Sequence, residues 1–466
     1  MSTFSGLNAA TTSLWSQRRA LDVTGQNIAN VNTEGYSRQR AEMQAIGGSA
    51  VPAFFSTSTG IGAGVNADKV IRIRDAFLEG RGHTETANSA RLTAVNETFE
   101  LVEQAFREPG DTGIQSLMAD MWAGWGDVAN HPEDPAARAQ VIQRLNTLVG
   151  GIQFSQAQMG AQWDQTRENL GVLVEDVNAS AETVAQLNQA IQRALQNEMP
   201  ANDLMDQRDL LVTKLAEQIG ATVRPKEFGV VDVMVGGISL VAGPTATKFA
   251  VIGSIDPDTV TADPPRIVTA GSGYAVRPGG RAEGQLTALN EIIPGYRGKL
   301  DGIAAGLAAS INALHTTGAF DAAGNPGTEV LGPVPGPVTA KNLTVLITDP
   351  SLIAASSVGG TANTDNGVAK AIANLRQSTT GADAQYRSMI VELGVQAAVA
   401  DRNLGIQHVI TAQVDAARES VAGVNIDEEM TNMLSYQHAY SAAGRLVTAI
   451  DEMLDVLINR MGIVGR

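Results

Sequence analysis

The last forty residues carry the strongest constraint in the chain. Met433, Tyr440, Val447, Leu454 and Met461 stand seven residues apart, and Tyr436, Ala443, Ile450 and Leu457 form a second column three residues on. All of these positions are apolar, whereas the opposite column (His438, Arg445, Glu452, Asn459) is polar throughout. On a helix such columns merge into one narrow seam, which another helix can cover but which cannot enclose a core of its own. Asn425 stands ready as a cap, and Asp427, Glu428 and Glu429 complement the positive helix start. The segment therefore reads as a coiled-coil helix of about four heptads. The alternative, a helix buried in a globular core, is disfavoured by the polar back column.

The start of the chain offers a second, weaker seam. Leu7, Leu14, Leu21 and Ile28 recur at seven, while the companion column (Phe4, Thr11, Arg18, Gly25) is mixed. Such a helix also needs a partner. It runs into "NIANVNTEGYSRQ", residues 27–39, where Asn27, Asn30 and Asn32 precede Gly35 and Tyr36. Asparagine competes for nearby backbone groups and is a poor interior helix residue, so amides placed here need compensating partners.

Between the two ends the pattern is mainly α with minor β. Asp134-Pro135 opens a series with apolar spacings of three and four: Val141, Leu145, Leu148, Ile152, Met159, Trp163, Leu170, Val174, Val177, Val184, Leu187 and Ile191. This predicts one long helix that ends before Pro200, with Gly150-Gly151 as a place to bend. "NDLMDQRDLLVTKLAEQIG" reads as a shorter helix folding back and stopped by Gly220. Residues 221–280 break into β-branched runs separated by glycines, which predict hairpins, and a further hairpin is expected at 64–74. Helix returns at 284–315 and at 366–421. Between these two, 318–340 reads as a Gly/Pro-rich surface loop, and "NLTVLIT" as one more strand.

Composition excludes several classes of function. Thirty-three lysines and arginines stand against 49 acidic residues, a net charge of −16 over 466 residues, which disfavours nucleic-acid binding. The absence of cysteine removes disulfides, thiol nucleophiles and Cys-ligated zinc. No apolar run approaches the roughly 18 residues of a membrane-spanning helix, and "MSTFSGLNAATTSLWSQRRALD" lacks the layout of a cleavable signal. "GIGAGV", residues 60–65, resembles a phosphate loop, but the residues after it alternate like a strand, so it reads as a turn. The histidines (His83, His131, His315, His408, His438) show no metal-ligand spacing. Asp203, Asp206 and Asp209 beside Arg208 could hold a cation, although local pairing and helix-start electrostatics explain them as well. No nucleophile-elbow motif precedes a helix. No catalytic, cofactor or metal site is expected.

Taken together, the two ends resemble those of bacterial flagellar axial proteins: "SGLNAATTSLWSQRRALDVTGQNIANVNTEGYSRQ" the N-terminal motif, and "VAGVNIDEEMTNMLSYQHAYSAAGRLVTAIDEMLDVLINR" its C-terminal partner. "DPAARAQVI", "NDLMDQRDLLV", "VDVMVGGISLVAG", "GGRAEGQLTALNE" and "INALHTTGAFDAAGNPG" are similar, in order, to landmarks of the FlgK family of hook-associated proteins type 1, the first junction proteins between hook and filament. The resemblance implies an inner coiled-coil unit made by both termini (1–45 and 422–466), with a helical middle domain (46–421) in the layer that surrounds it. It also implies that Leu7, Leu14, Leu21 and Ile28 pack near Met433, Tyr440, Val447 and Leu454, and that Asn27, Asn30, Asn32, Gly35 and Tyr36 end the first helix where subunits crowd together, the asparagine amides bonding to neighbours. The implied role is a non-enzymatic subunit, cytoplasmic before export and then secreted through the flagellar export channel. The implied partners are further copies in a ring, the hook protein, a second junction protein and an export chaperone. Longer members insert an outer β domain where this chain has only the 318–340 region, so that domain is expected to be missing or reduced. The rival readings are another axial subunit (hook, rod or filament) or a secreted enzyme on an axial scaffold.

Overall fold

The computed structural model describes residues 3–47, 62–333, 335–361, 364–456 and 458. It begins with helix α1 (Thr3–Ala29), followed by an antiparallel ribbon of β1 (Gln39–Ile46) and β2 (Gly64–Arg72) in which Gln39 faces Arg72 and Ile46 faces Gly64. The ribbon lies against α1: the Ser16 hydroxyl donates to the Val65 carbonyl at 3.1 Å. Gly64, at φ +119°, comes so close that a Cβ there would stand 2.1 Å from Thr12 Oγ1. The hairpin expected within 64–74 is therefore one strand only. Its partner, "QRAEMQAI", has one buried position and mixes polar with apolar residues, and so carries no clear period-two signal. Of the glycine-rich "GIGAGV", Gly60 and Ile61 lie outside the described residues, and the remainder leads into β2.

The middle of the chain is helical. Helices α2 (Ala76–Phe106) and α3 (Ile114–Asn130) precede α4 (Pro135–Gln196), a continuous helix of 62 residues, about 93 Å long at 1.5 Å per residue. Asp134 caps it by accepting from the Ala136 amide at 2.9 Å. The predicted apolar series along α4 is buried at every position except half-buried Leu187. Gly150 and Gly151 do not interrupt the helix. Gly151 instead admits Leu117 of α3, whose Cδ1 would be 2.5 Å from a Cβ at that position. Helix α5 (Asn202–Ile219) folds back and ends at Gly220 with φ +71°.

Strands β3 (Thr222–Pro225), β4 (Val231–Val235), β5 (Ile238–Ala242) and β6 (Thr245–Ala246) form a meander in chain order, and β7 (Phe249–Ile252) pairs with β8 (Arg266–Thr269). Helix α6 (Gly280–Thr287) passes through a π turn at Ala288–Ile292 into α7 (Ile293–Thr316). A short pair, β9 (Leu331–Gly332) and β10 (Thr344–Val345), precedes α8 (Gly367–Asn374), α9 (Ala382–Ala422) and α10 (Ile426–Asp455). Among the described residues no helix is long and apolar enough to cross a membrane.

One continuous apolar core runs through the middle of the chain, from Phe99 to Ala400, and no described residue of α1, β1, β2 or α10 belongs to it. The Gly/Pro-rich segment does belong, which corrects its reading as a surface loop. Val330, Leu331, Ala340 and Leu343 are fully buried. The Asn312 side chain accepts from the Val330 and Leu331 amides at 2.9 and 3.0 Å and donates to the Leu331 carbonyl at 2.7 Å. His315, also fully buried, accepts from the Ala354 amide through Nε2 at 2.7 Å, and burial lowers its pKa. It is a neutral structural histidine. Gly and Pro dominate the composition of this segment, but the aliphatic residues Val330, Leu331 and Ala340 within it are buried.

Leu331→Ala should therefore cost about 2–5 kcal/mol, as other truncations in close-packed cores do. A lowered melting temperature of the full chain checks this, and an unchanged one would return the segment to the surface.

Candidate functional site

The two terminal helices pack against each other within one chain and run antiparallel. At one end, a Cβ built on Gly6 would lie 3.4 Å from Ile450 Cδ1; at the other, Asn27 Nδ2 donates to Glu429 Oε2 at 3.1 Å. On α10 the seam read from the heptads is the face turned inward. Ala443 and Ile450 are buried, Met433, Tyr436, Val447 and Leu454 are half-buried, and Tyr440 is 42% exposed at the edge. His438, Arg445 and Glu452 face solvent. Leu457 and Met461 lie outside the described residues.

On α1 the covered line falls one step round the helix from the leucine column. Counted by threes and fours from Gly6, it runs through Ala10, Ser13, Gln17, Ala20 and Thr24 to Asn27, and Ala10, Ala20 and Thr24 are only 2–3% exposed. Leu7, Leu14, Leu21 and Ile28 are half-buried on its flank. The small side chains that make up most of this line let a second helix approach closely. Apolar bulk does not mark this line, so the heptad pattern misses it, although the spacing is present in the sequence.

Asn27 closes the seam. It is 1% exposed, and its amide donates to the Gln39 carbonyl at 2.9 Å as well as to Glu429. Its carbonyl oxygen accepts from Tyr36 Oη at 2.9 Å and from the Gln39 amide at 3.0 Å. Burial, reinforced by Asp206, Asp203 and Glu429, pushes the Tyr36 phenol up to about 12, so it stays protonated and donates. Arg38 bridges Glu429 at 2.7 Å and Glu428 at 2.8 Å, and its backbone amide donates to the Ala422 carbonyl at 2.9 Å. The Asn425 side chain caps α10, accepting from the Asp427 and Glu428 amides. Asn27 thus finds its partners inside the chain, which corrects the expectation that a neighbouring subunit supplies them.

The other two asparagines have smaller parts. Asn30 donates to the Gln26 carbonyl at 3.0 Å and accepts from Thr33 Oγ1 at 3.1 Å, and Asn32 is exposed. Gly35, at φ +78°, makes the turn that brings the chain over Leu210 of α5. The arrangement is one of fit and register. Among the described residues no group of three or more His, Asp or Glu is placed to hold a metal ion.

Asn27→Ala should leave the Glu429 carboxylate and the Tyr36 hydroxyl without this partner, at about 1–3 kcal/mol for each group stranded in the interior. Hydrogen exchange should accelerate in the first turns of α10 and remain unchanged in α4. Equal protection of α10 in the variant would contradict the role given to this amide.

Residues 99–331 match the family model described as the flagellar hook-associated protein FlgK helical domain. Residues 7–36 match the flagella basal body rod protein model, and residues 418–461 the C-terminal model of the basal body rod FlgEFG proteins. The chain is 28% identical to flagellar hook-associated protein 1 of Bacillus subtilis over all of both chains. It is 24% identical to that of Escherichia coli, over 98% of each. The flagellar hook junction protein FlgK from Burkholderia pseudomallei superposes with a TM-score of 0.65 at 16% identity, covering 74% of this chain and 100% of that one. The helical middle, flanked by two rod-type ends that pair with each other, belongs to the flagellar hook-associated protein FlgK family.

Proposed function

We propose that this chain is a non-enzymatic structural subunit of the bacterial flagellum, placed between hook and filament, and that its α1–α10 pair is the element through which it assembles. The observation that carries this reading is the division of the molecule. The body has its own apolar core, to which no described residue of the terminal pair contributes. The pair, in turn, leaves apolar side chains in water: Trp15 is 73% exposed, and Met430, Leu434, Leu446 and Met453 are each about half exposed. A two-helix unit with that much open apolar surface is completed by neighbouring subunits. Leu7, Leu14, Leu21 and Ile28 on α1, with Tyr440 at the edge of α10, extend the same surface.

The partners that fit are further copies of this chain in a ring, the hook protein below and a second junction protein above. Before assembly, an export chaperone would cover the terminal helices, and the chain would leave the cell through the flagellar export channel. A chain without cysteine carries no disulfide that export would have to break.

Ile450→Asp tests the role of the pair. It would forfeit about 2–5 kcal/mol of burial against Gly6 and place an unpaired charge in the seam. The variant should be expressed, and its body should melt like the unaltered chain because the cores are separate. It should fail to support a junction, so that cells keep hooks and shed filament subunits into the medium. His438→Asp, on the exposed side of α10, should swim normally. Normal motility in Ile450→Asp would overturn the assembly role.

A further inference from the structure

Among the described residues the terminal unit and the helical body share no apolar core, yet the chain holds them in a definite relation. Beside the Arg38 amide on Ala422 of α9 and the approach of Gly35 to Leu210, a polar ladder along one face of α5 joins them. Asn202, Asp206 and Asp209 stand at i, i+4 and i+7, advancing about 10 Å along the helix. Opposite them, Val70, Arg72 and Arg74 alternate along and just beyond β2, advancing about 13 Å.

The two rows pair in order. Asn202 Nδ2 donates to the Val70 carbonyl at 3.1 Å and to Gln39 Oε1 at 3.0 Å. Asp206 accepts from Arg72 at 2.8 Å and from the Ser37 hydroxyl at 2.9 Å. Asp209 accepts from Arg72 at 2.9 Å and also from Arg74. Arg74 reaches on to Glu79 of α2 at 2.6 Å, and Arg418 of α9 meets the same carboxylate at 2.8 Å. From the body side, Arg208 holds Asp209 at 2.8 Å.

We infer that this face of α5 is a register-specific seat for β2, and that Asp206 and Asp209 are positioning residues that set the direction of the terminal helix pair relative to the body. A helix advancing 1.5 Å per residue and a strand advancing about 3.3 Å match over only one alignment of these groups. Slipping β2 by one residue would turn its arginines to the other face of the ribbon. Burial opposes the charge on Asp209, but Arg208, Arg72 and Arg74 outweigh it and hold that carboxyl below its ordinary range. Of the aspartates whose spacing would also suit a cation, Asp206 and Asp209 are satisfied by arginines of this chain. For a subunit that must present one helix pair to an axis and a broad body outside it, a fixed angle between the two is the geometric requirement.

The full chain permits a direct test because it has no native cysteine. His438→Cys on α10 and Val172→Cys on α4, both at exposed positions, can carry spin labels whose separation is read by pulsed dipolar spectroscopy. The unaltered joint should give one narrow distance. Asp206→Asn combined with Asp209→Asn should lose it and give a broad distribution, with helix content retained. Arg72→Gln removes the partner from the other side and leaves α5 untouched, so it should broaden the distribution in the same way even if the double variant folds poorly. Asp203→Asn, exposed on the same helix, should leave the distance narrow. A narrow distance in Arg72→Gln, a broad one in the unaltered joint, or equal broadening in Asp203→Asn would overturn the inference. The test needs no flagellum, so its failure would not bear on the assembly role proposed above.

Discussion

The buried amide of Asn27 is the contact on which the two ends of the chain depend. A seam of glycine, alanine and threonine is slim enough to admit another helix, but small apolar contacts alone allow sliding. A buried side chain with four partners does not: its donors and acceptors are satisfied in one register only. In helical seams a single polar group of this kind can specify alignment at some cost in stability. Here it does so at the end of α1, where it also fixes the start of β1 through Gln39 and the first turn of α10 through Glu429.

From that point the molecule divides by the kind of interaction that holds each part. The body is held by apolar burial along the length of α4, and its stability is that of an ordinary packed core. The terminal unit is held by a narrow helix pair and a two-stranded ribbon, and it meets the body through guanidinium and carboxylate groups. Such a joint is directional and needs its partners ionised. The division suits the assembly role proposed above, in which neighbouring subunits would cover the terminal helices while the body is complete without them.

Much of this is legible in the sequence, for identifiable reasons. The α10 seam and the α4 series are long and periodic, and bulky apolar residues mark both; the caps Asp134 and Asn425 and the stop at Gly220 follow from local chemistry. The covered line of α1 is hidden because its residues are small, and periodicity weighs bulk. Strand β1 is hidden because both its faces are largely wet. The 318–340 segment misleads because Gly and Pro dominate its composition, while the burial falls to Val330, Leu331 and the side chain of Asn312. Asp206 and Asp209 stand out as charges, and Arg208 beside Asp209 is a local partner, but Arg72 and Arg74 lie more than 130 residues away along the chain. Local spacing cannot reveal such partners.

The central claim is that α1 and α10 of the same chain remain paired, antiparallel, in the assembled structure. Gly6→Cys with Ile450→Cys introduces the only two thiols in the chain, one on each helix where they touch. Intact flagella carrying the double variant would be treated with a short bifunctional thiol reagent and then dissolved. The pairing described here predicts a monomeric band that is internally crosslinked, shown by a peptide joining the segments around residues 6 and 450. Dimers and higher ladders without that internal link would mean that each terminal helix pairs with a different subunit, and would contradict the account.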